Sequence, residues 1–106
     1  MYGDERDFFM IKLTSSRGNG KVKASFVLPV TETPEPVSVL GDFNQWDPMA
    51  DPLKKRANGT RSASVELEPG QRYTFKYLSE GGTWFTEPQV SHQVNEYGET
   101  NSVIHT

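Results

Sequence analysis

Three carboxylates that could do chemistry, Asp42, Asp47 and Asp51, lie in one loop directly after a short apolar run. Glycosidases use such groups in pairs, roughly 5–10 Å apart on the two sides of a cleft. Asp in a turn, however, commonly bonds to its own backbone. His92 and His105 have neither the serine context of a nucleophile nor the carboxylate spacing of a metal site. The sequence therefore predicts no catalytic residue and no metal site.

The same loop carries two aromatic residues, Phe43 and Trp46, three positions apart. The apolar run before them, residues 37–40, is typical of a buried strand, and the chain then enters residues that favour turns. This spacing lets one ring face inward and the other outward, and we predict that Phe43 is the core residue. The alternative for Trp46 is that it is also buried, because tryptophan is highly buried on average.

Composition excludes several classes of partner. The chain has 106 residues, which is the size of one domain, and a net charge of −3. Nucleic acids and anionic membranes attract basic surfaces, so neither is expected as a partner. The chain has no cysteine, which excludes disulfides and thiolate metal sites and is compatible with a reducing compartment. Residues 8–11 are apolar but too short for a signal sequence or a membrane span. A cytoplasmic location is expected.

Short strands separated by turns are expected throughout the chain. Apolar and polar residues alternate, or short apolar runs occur, at residues 10–14, 22–28, 37–40, 63–67, 73–77 and 101–105. Asn-Gly and Pro-Gly pairs provide turn signals between them, at residues 19–20, 58–59 and 69–70. Residues 86–96 are expected to be irregular. This pattern predicts an all-β antiparallel sandwich over residues 10–106, preceded by a flexible N-terminal extension at residues 1–9.

Three segments occur in an order that resembles a known family. Residues 41–46 (GDFNQW), 69–77 and 97–104 are similar to motifs of carbohydrate-binding module family 48. That family includes the early-set domains of isoamylases and glycogen branching enzymes and the glycogen-binding domain of the AMP-activated protein kinase β subunit. The resemblance covers roughly residues 20–106. It implies an immunoglobulin-like sandwich that binds glycogen or starch without a cofactor.

The resemblance also implies a set of sugar-binding residues. Family members stack glucose units on aromatic residues at the positions of Trp46 and Trp84. Lys76 matches a lysine, and Asn101 an asparagine, that bond sugar hydroxyls. Tyr97 stands where the kinase subunit has a leucine that reaches past the glucan, and an aromatic residue there is expected to stack. Stacking one sugar face on an exposed tryptophan is worth roughly 1.5–2 kcal/mol, so we expect micromolar-to-millimolar affinity.

Each of these residues also has a purely structural interpretation. Trp84 could plug one end of the sandwich, and Lys76 could pair across strands with Glu66. Asn101 could satisfy backbone groups at a strand end, and Tyr97 could belong to a packed turn.

The sequence thus predicts non-catalytic binding of α-1,4-linked glucan, such as glycogen, starch or maltooligosaccharide. The catalytic barrel that accompanies this domain in the family's enzymes is absent from the 106 residues, so we expect action in trans with a glycogen-metabolising enzyme or a kinase-type partner chain. The alternative is a protein-interaction or regulatory early-set domain that no longer binds sugar. Glu99, which replaces a small hydroxyl residue of the kinase domain, and the acidic N-terminus favour that alternative.

Overall fold

A computed structural model describes residues 9–15, 18–31 and 33–106. In this part of the chain the backbone forms nine strands and one turn of 3₁₀ helix. The strands, in chain order, are Met10–Ser15 (β1), Val22–Pro29 (β2), Val37–Gly41 (β3), Lys54–Lys55 (β4), Thr60–Leu67 (β5), Arg72–Ser79 (β6), Trp84–Phe85 (β7), Ser91–Val94 (β8) and Thr100–His105 (β9). Among the described residues, no helix is long and apolar enough to cross a membrane.

The strands form two antiparallel sheets that pack face to face. The first sheet has the order β1-β2-β5-β4, and the second has the order β3-β6-β9-β8, with β7 also paired to β6. Apolar residues from both sheets meet in one core between them. The predicted immunoglobulin-like all-β sandwich is confirmed.

The alternating positions predicted to share a face do form the core. Ala24, Phe26 and Leu28 of β2 and Phe75 and Tyr77 of β6 are all fully buried. The rings of Phe26 and Phe75 meet edge to face with their centroids 5.0 Å apart, which joins the two sheets. Because side chains alternate along a strand, the residues between these positions lie on the outer faces.

The turn between β5 and β6 carries the chain from one sheet to the other. Gly70 follows Pro69 and has a φ of 70°, as the third position of the predicted type II turn requires. Since β5 and β6 lie in different sheets, Lys76 cannot pair across strands with Glu66, and that alternative is wrong. The residue opposite Lys76 is Leu40 of β3.

The segment expected to be irregular, residues 86–96, contains the strand β8. This strand pairs with β9 at the edge of the second sheet, where Gln93 lies opposite Asn101. All four residues of β8 are exposed. Its position is therefore set by backbone hydrogen bonds rather than by a buried face, and no alternation of apolar residues marks it in the sequence.

The strand predicted at residues 10–14 is confirmed. β1 pairs with β2 and forms the outer edge of the first sheet. Before it, the ring of Phe9 packs against Tyr77 and Phe85, with centroid distances of 6.4 and 6.3 Å. Residues 1–8 lie outside the described part of the chain, so the flexible extension and its boundary at residue 9 stay predictions.

Candidate functional site

The loop after β3 projects Trp46 through an unusual backbone conformation. A single turn of 3₁₀ helix, Asp42–Asn44, is followed by Gln45 and Trp46, whose φ angles are 58° and 57°. Residues other than glycine rarely adopt this left-handed conformation. The Trp46 amide donates a hydrogen bond to the Gly41 carbonyl at 3.0 Å, which closes the loop back onto the end of the strand.

The side chain of Asn44 holds this loop in place with three hydrogen bonds. Its Oδ1 accepts from the Gly41 amide at 3.0 Å. Its Nδ2 donates to the Val39 carbonyl at 2.9 Å and to the Asp51 carboxylate at 2.8 Å. These bonds offset the strain of the left-handed residues that follow.

Phe43 and Trp46 face opposite ways, as the sequence predicted. Phe43 packs on the core, with its ring centroid 5.7 Å from that of Phe26 and 6.3 Å from that of Tyr73. Trp46 is half-buried and lines a surface hollow. The loop therefore uses one aromatic residue as an anchor and presents the other to solvent.

The loop's carboxylates have structural roles. Asp47 bonds to its own turn by accepting from the Met49 amide at 2.9 Å, as predicted for these residues. Asp42 departs from that prediction because it bonds to the neighbouring strand β6. Its Oδ2 accepts from the amide and the hydroxyl of Thr74 at 2.7 and 2.9 Å, while its Oδ1 lies 3.4 Å from Nε1 of Trp46.

Strands β6 and β7 position Trp84 beside Lys76. Phe85 pairs with Tyr77 and packs inward, with a centroid distance of 5.2 Å, so Trp84 faces outward opposite Leu78. Trp84 is 48% exposed and does not plug the sandwich. The Lys76 Nζ lies 6.0 Å from the centroid of the Trp84 ring, which is within the range of a cation–π contact.

Strand β9 presents Asn101 on the same outer face. Its neighbour Ser102 is fully buried, and the Ser102 hydroxyl accepts a hydrogen bond from the Glu87 amide at 2.7 Å. Asn101 must therefore point outward. Among the described residues its side chain has no hydrogen-bond partner, so it does not serve to satisfy a strand end.

The turn between β8 and β9 carries Tyr97, which is 79% exposed and therefore not packed in its turn. Asn95 begins this turn, and its Oδ1 accepts from the amides of both Tyr97 and Glu99, at 2.9 and 3.0 Å. The Gly98 amide donates to the Asn95 carbonyl at 3.0 Å. Asn95 thus fixes the backbone on which the Tyr97 and Glu99 side chains stand.

These elements together form one hollow of about 390 Å³ on the outer face of the second sheet, which we term the Trp46–Trp84 concavity. Its lining comprises Trp46, Lys76, Trp84, Asn95, Tyr97, Glu99 and Asn101. All five residues of the predicted set are thus brought together. A larger hollow of about 680 Å³ near β1 and β9 contains none of them.

Comparison with known proteins identifies the family. A family model described as the glycogen recognition site of AMP-activated protein kinase matches residues 24–106. The chain belongs to this family. As a glycogen-recognition module it is also similar to the 1,4-alpha-glucan branching enzyme GlgB of Deinococcus radiodurans, with 45% identity over 47 residues. Those residues are 43% of this chain and 7% of the branching enzyme.

The family match confirms the resemblance to the kinase subunit's domain. It begins within β2 and runs through the last strand, so it includes every residue that lines the concavity. Carbohydrate-binding modules of this kind are non-catalytic domains.

Sequence reasoning missed Asn95 as a residue of the module's concavity. An Asn three residues before a Gly at the start of a tight turn is the signal that could have indicated it, because Asn side chains commonly accept backbone amides two residues on.

Two buried titratable groups of the module, Tyr77 and Glu87, lie in the core, away from the concavity. The Tyr77 hydroxyl donates to the Glu87 carboxylate at 2.7 Å, and both residues are fully buried. Burial raises the pKa of Glu87, which the bonds from Tyr77 and Gln89 partly oppose. Burial, followed by the nearby Glu87 charge, raises the pKa of Tyr77.

Neither metal binding nor a His ligand is indicated in the part of the module that the structure describes. No group of three or more His, Cys, Asp or Glu side chains there could hold a metal ion. His92, expected in an irregular segment, lies instead within strand β8, where its Nε2 is 2.8 Å from the Glu87 carbonyl oxygen.

Proposed function

We propose that this module binds α-1,4-linked glucan, such as glycogen, starch or maltooligosaccharide, in the Trp46–Trp84 concavity without catalysis. One observation carries the proposal. The five residues selected from sequence alone line a single hollow, in a chain of the glycogen-recognition family.

The two tryptophans provide the stacking surfaces of the proposed site. A pyranose ring has an apolar C–H face, and covering that face with an indole ring removes about 60–80 Å² of apolar surface from water, worth roughly 1.5–2 kcal/mol. Trp84 is about half exposed, and Trp46 is half-buried with its backbone fixed by the loop. The exposed ring of Tyr97 adds a third aromatic surface at the rim.

Polar groups between the rings supply bonds to the hydroxyl edge of the sugar. The Lys76 ammonium has three donors and lies over Trp84, so a sugar stacked on that ring has its edge within reach of the ammonium. The amide of Asn101 can both donate and accept. Its lack of partners among the described residues means that no protein hydrogen bond there must break when a hydroxyl binds.

The lining chemistry supports binding rather than hydrolysis. Glycoside hydrolysis uses two carboxyl groups that flank the bond. Of the concavity's lining residues, all of which are described, Glu99 alone carries a carboxylate. No cofactor or metal takes part in the proposed binding.

We also propose that the module brings a glycogen-metabolising enzyme or a kinase-type partner to the glucan, in the cytoplasm. The similarity of 47 residues to part of a branching enzyme supports an association with glucan metabolism. The cysteine-free composition is compatible with a reducing compartment.

Titration with maltoheptaose and with β-cyclodextrin tests the binding proposal, followed by amide chemical shifts and tryptophan emission. Trp46→Ala and Trp84→Ala should each weaken binding about ten- to thirtyfold, because about 1.4 kcal/mol corresponds to a factor of ten. Met49→Ala is the control, since Met49 is 83% exposed and does not line the concavity. No shifts at several millimolar sugar would refute the proposal and favour the protein-interaction alternative.

A further inference from the structure

The Trp46–Trp84 concavity contains one cation and one anion that do not neutralise each other directly. Lys76 and Glu99 both line it, and these two described residues form no ion pair with one another. A second carboxylate stands nearby, because the Oδ1 of Asp42 lies 3.4 Å from the indole nitrogen of Trp46. An anionic ligand entering this hollow therefore meets more negative than positive charge.

The backbone of Glu99 is held in place beside the concavity, although its side chain is exposed. The Glu99 amide donates to Asn95 Oδ1 at 3.0 Å, and the Glu99 carbonyl accepts from the Asn95 amide at 2.8 Å. The Asn95 Nδ2 also lies 3.5 Å from the Glu99 Oε1. These bonds fix the backbone from which the Glu99 side chain extends along the lining of the concavity.

We propose that Glu99 is a specificity-determining residue that admits uncharged glucan and discriminates against glucan carrying phosphate esters. This proposal rests on the proposed function. A carboxylate accepts hydrogen bonds from sugar hydroxyls, so an uncharged glucan suffers no repulsion from it. A phosphate monoester carries a charge of about −1.5 to −2 at pH 7 and is repelled.

The expected discrimination is modest because the site is open to water. Charges at an exposed rim interact through a high effective dielectric and are screened beyond roughly 10 Å at 0.1 M salt. We therefore expect phosphorylated maltoheptaose to bind about fivefold more weakly than maltoheptaose at low ionic strength. The ratio of the two dissociation constants should approach one in 0.5 M salt.

Two variants, each of which removes one negative charge from the turn between β8 and β9, test whether Glu99 is the source of this discrimination. Glu99→Gln preserves shape and removes the lining carboxylate. Glu96→Gln makes the same change of net charge three residues earlier, at a side chain that does not line the concavity. Dissociation constants for maltoheptaose and for its phosphate monoester are measured by calorimetry on wild type and both variants. Circular dichroism verifies that all three proteins are folded.

The ratio of the dissociation constant of the phosphate monoester to that of maltoheptaose decides whether Glu99 is the source of the discrimination. In Glu99→Gln it should fall from about five to about one or two, while Glu96→Gln should retain at least two-thirds of the wild-type ratio. Equal affinity of wild type for both sugars would overturn the proposal while leaving glucan binding intact, as would equal effects of the two variants. If wild type bound neither sugar, the proposed function itself would fail, and this inference with it.

Discussion

Asn44 links the fold to the proposed site, and replacing it with alanine should affect both. Asn44→Ala removes the acceptor of the Gly41 amide and the donor to the Val39 carbonyl, and also the donor to the Asp51 carboxylate. A neutral hydrogen bond contributes about 1 kcal/mol and one to a charged group about 1.5–3 kcal/mol. Because the site is half-buried and solvent replaces part of what is lost, we expect a destabilisation of about 2–4 kcal/mol.

Urea unfolding followed by tryptophan emission and circular dichroism measures this loss. Asn58→Ala is a matched control, because Asn58 is an exposed turn residue whose side chain accepts one hydrogen bond, from the Thr60 hydroxyl at 2.6 Å. It should cost about 1 kcal/mol or less. Under conditions where both variants are folded, only Asn44→Ala should also weaken maltoheptaose binding, because Trp46 loses the support of its left-handed backbone.

The result that would refute this reasoning is specific. A loss below about 1 kcal/mol for Asn44→Ala would mean that the three bonds do not maintain the loop. If Asn44→Ala lost the expected stability but bound maltoheptaose as tightly as wild type, Trp46 would be positioned by something other than the loop backbone.

Two further predictions concern the core side of the second sheet. Gly41→Ala should destabilise the protein by about 3 kcal/mol or more, because the added Cβ would lie 2.6 Å from the backbone oxygen of Thr74. Gly81→Ala should be tolerated better, since its Cβ meets only the flexible end of the Glu35 side chain. Equal midpoints of urea unfolding for the two variants would contradict this prediction. Burial raises the pKa of Glu87 above its ordinary 4.5, so its contribution to stability is present below pH 4.5 and is lost as the pH rises through the folded-state pKa. Urea unfolding at several pH values should therefore show wild type losing stability relative to Glu87→Gln as the pH increases, and parallel profiles would contradict the assignment.

The sequence predicts those strands best that bury one face completely. Alternation identified β2 and β6 because each strand buries every second side chain, such as Phe26 in β2 and Phe75 in β6. The residues that alternate with these along the same strand lie on the outer face. The strand β8 has no such face, so its pairing with β9 left no periodic signal. The failed pairing of Lys76 with Glu66 has another cause. Alternation assigns a residue to a face of a strand but does not determine which strand lies beside it.

The candidate site was predictable where a side chain itself has an obvious chemistry. Trp46 and Trp84 are flat aromatic residues next to turns, and the family resemblance put Lys76 with them. Asn95 and Asn44 escaped notice because their side chains act on backbone groups several residues away, which requires the three-dimensional turn to be known. Residue type alone does not distinguish such asparagines from ordinary surface residues.

The proposed sugar site lies on one sheet of the sandwich only. Every residue that lines the Trp46–Trp84 concavity belongs to the second sheet or to its loops, whereas β1, β2, β4 and β5 contribute none. A tether or fluorescent label attached at Lys23, an exposed residue on the outer face of the first sheet, would therefore leave the proposed sugar site untouched. The sandwich so attached is an oriented reagent, with its tryptophans facing away from the solid support on which it is immobilised.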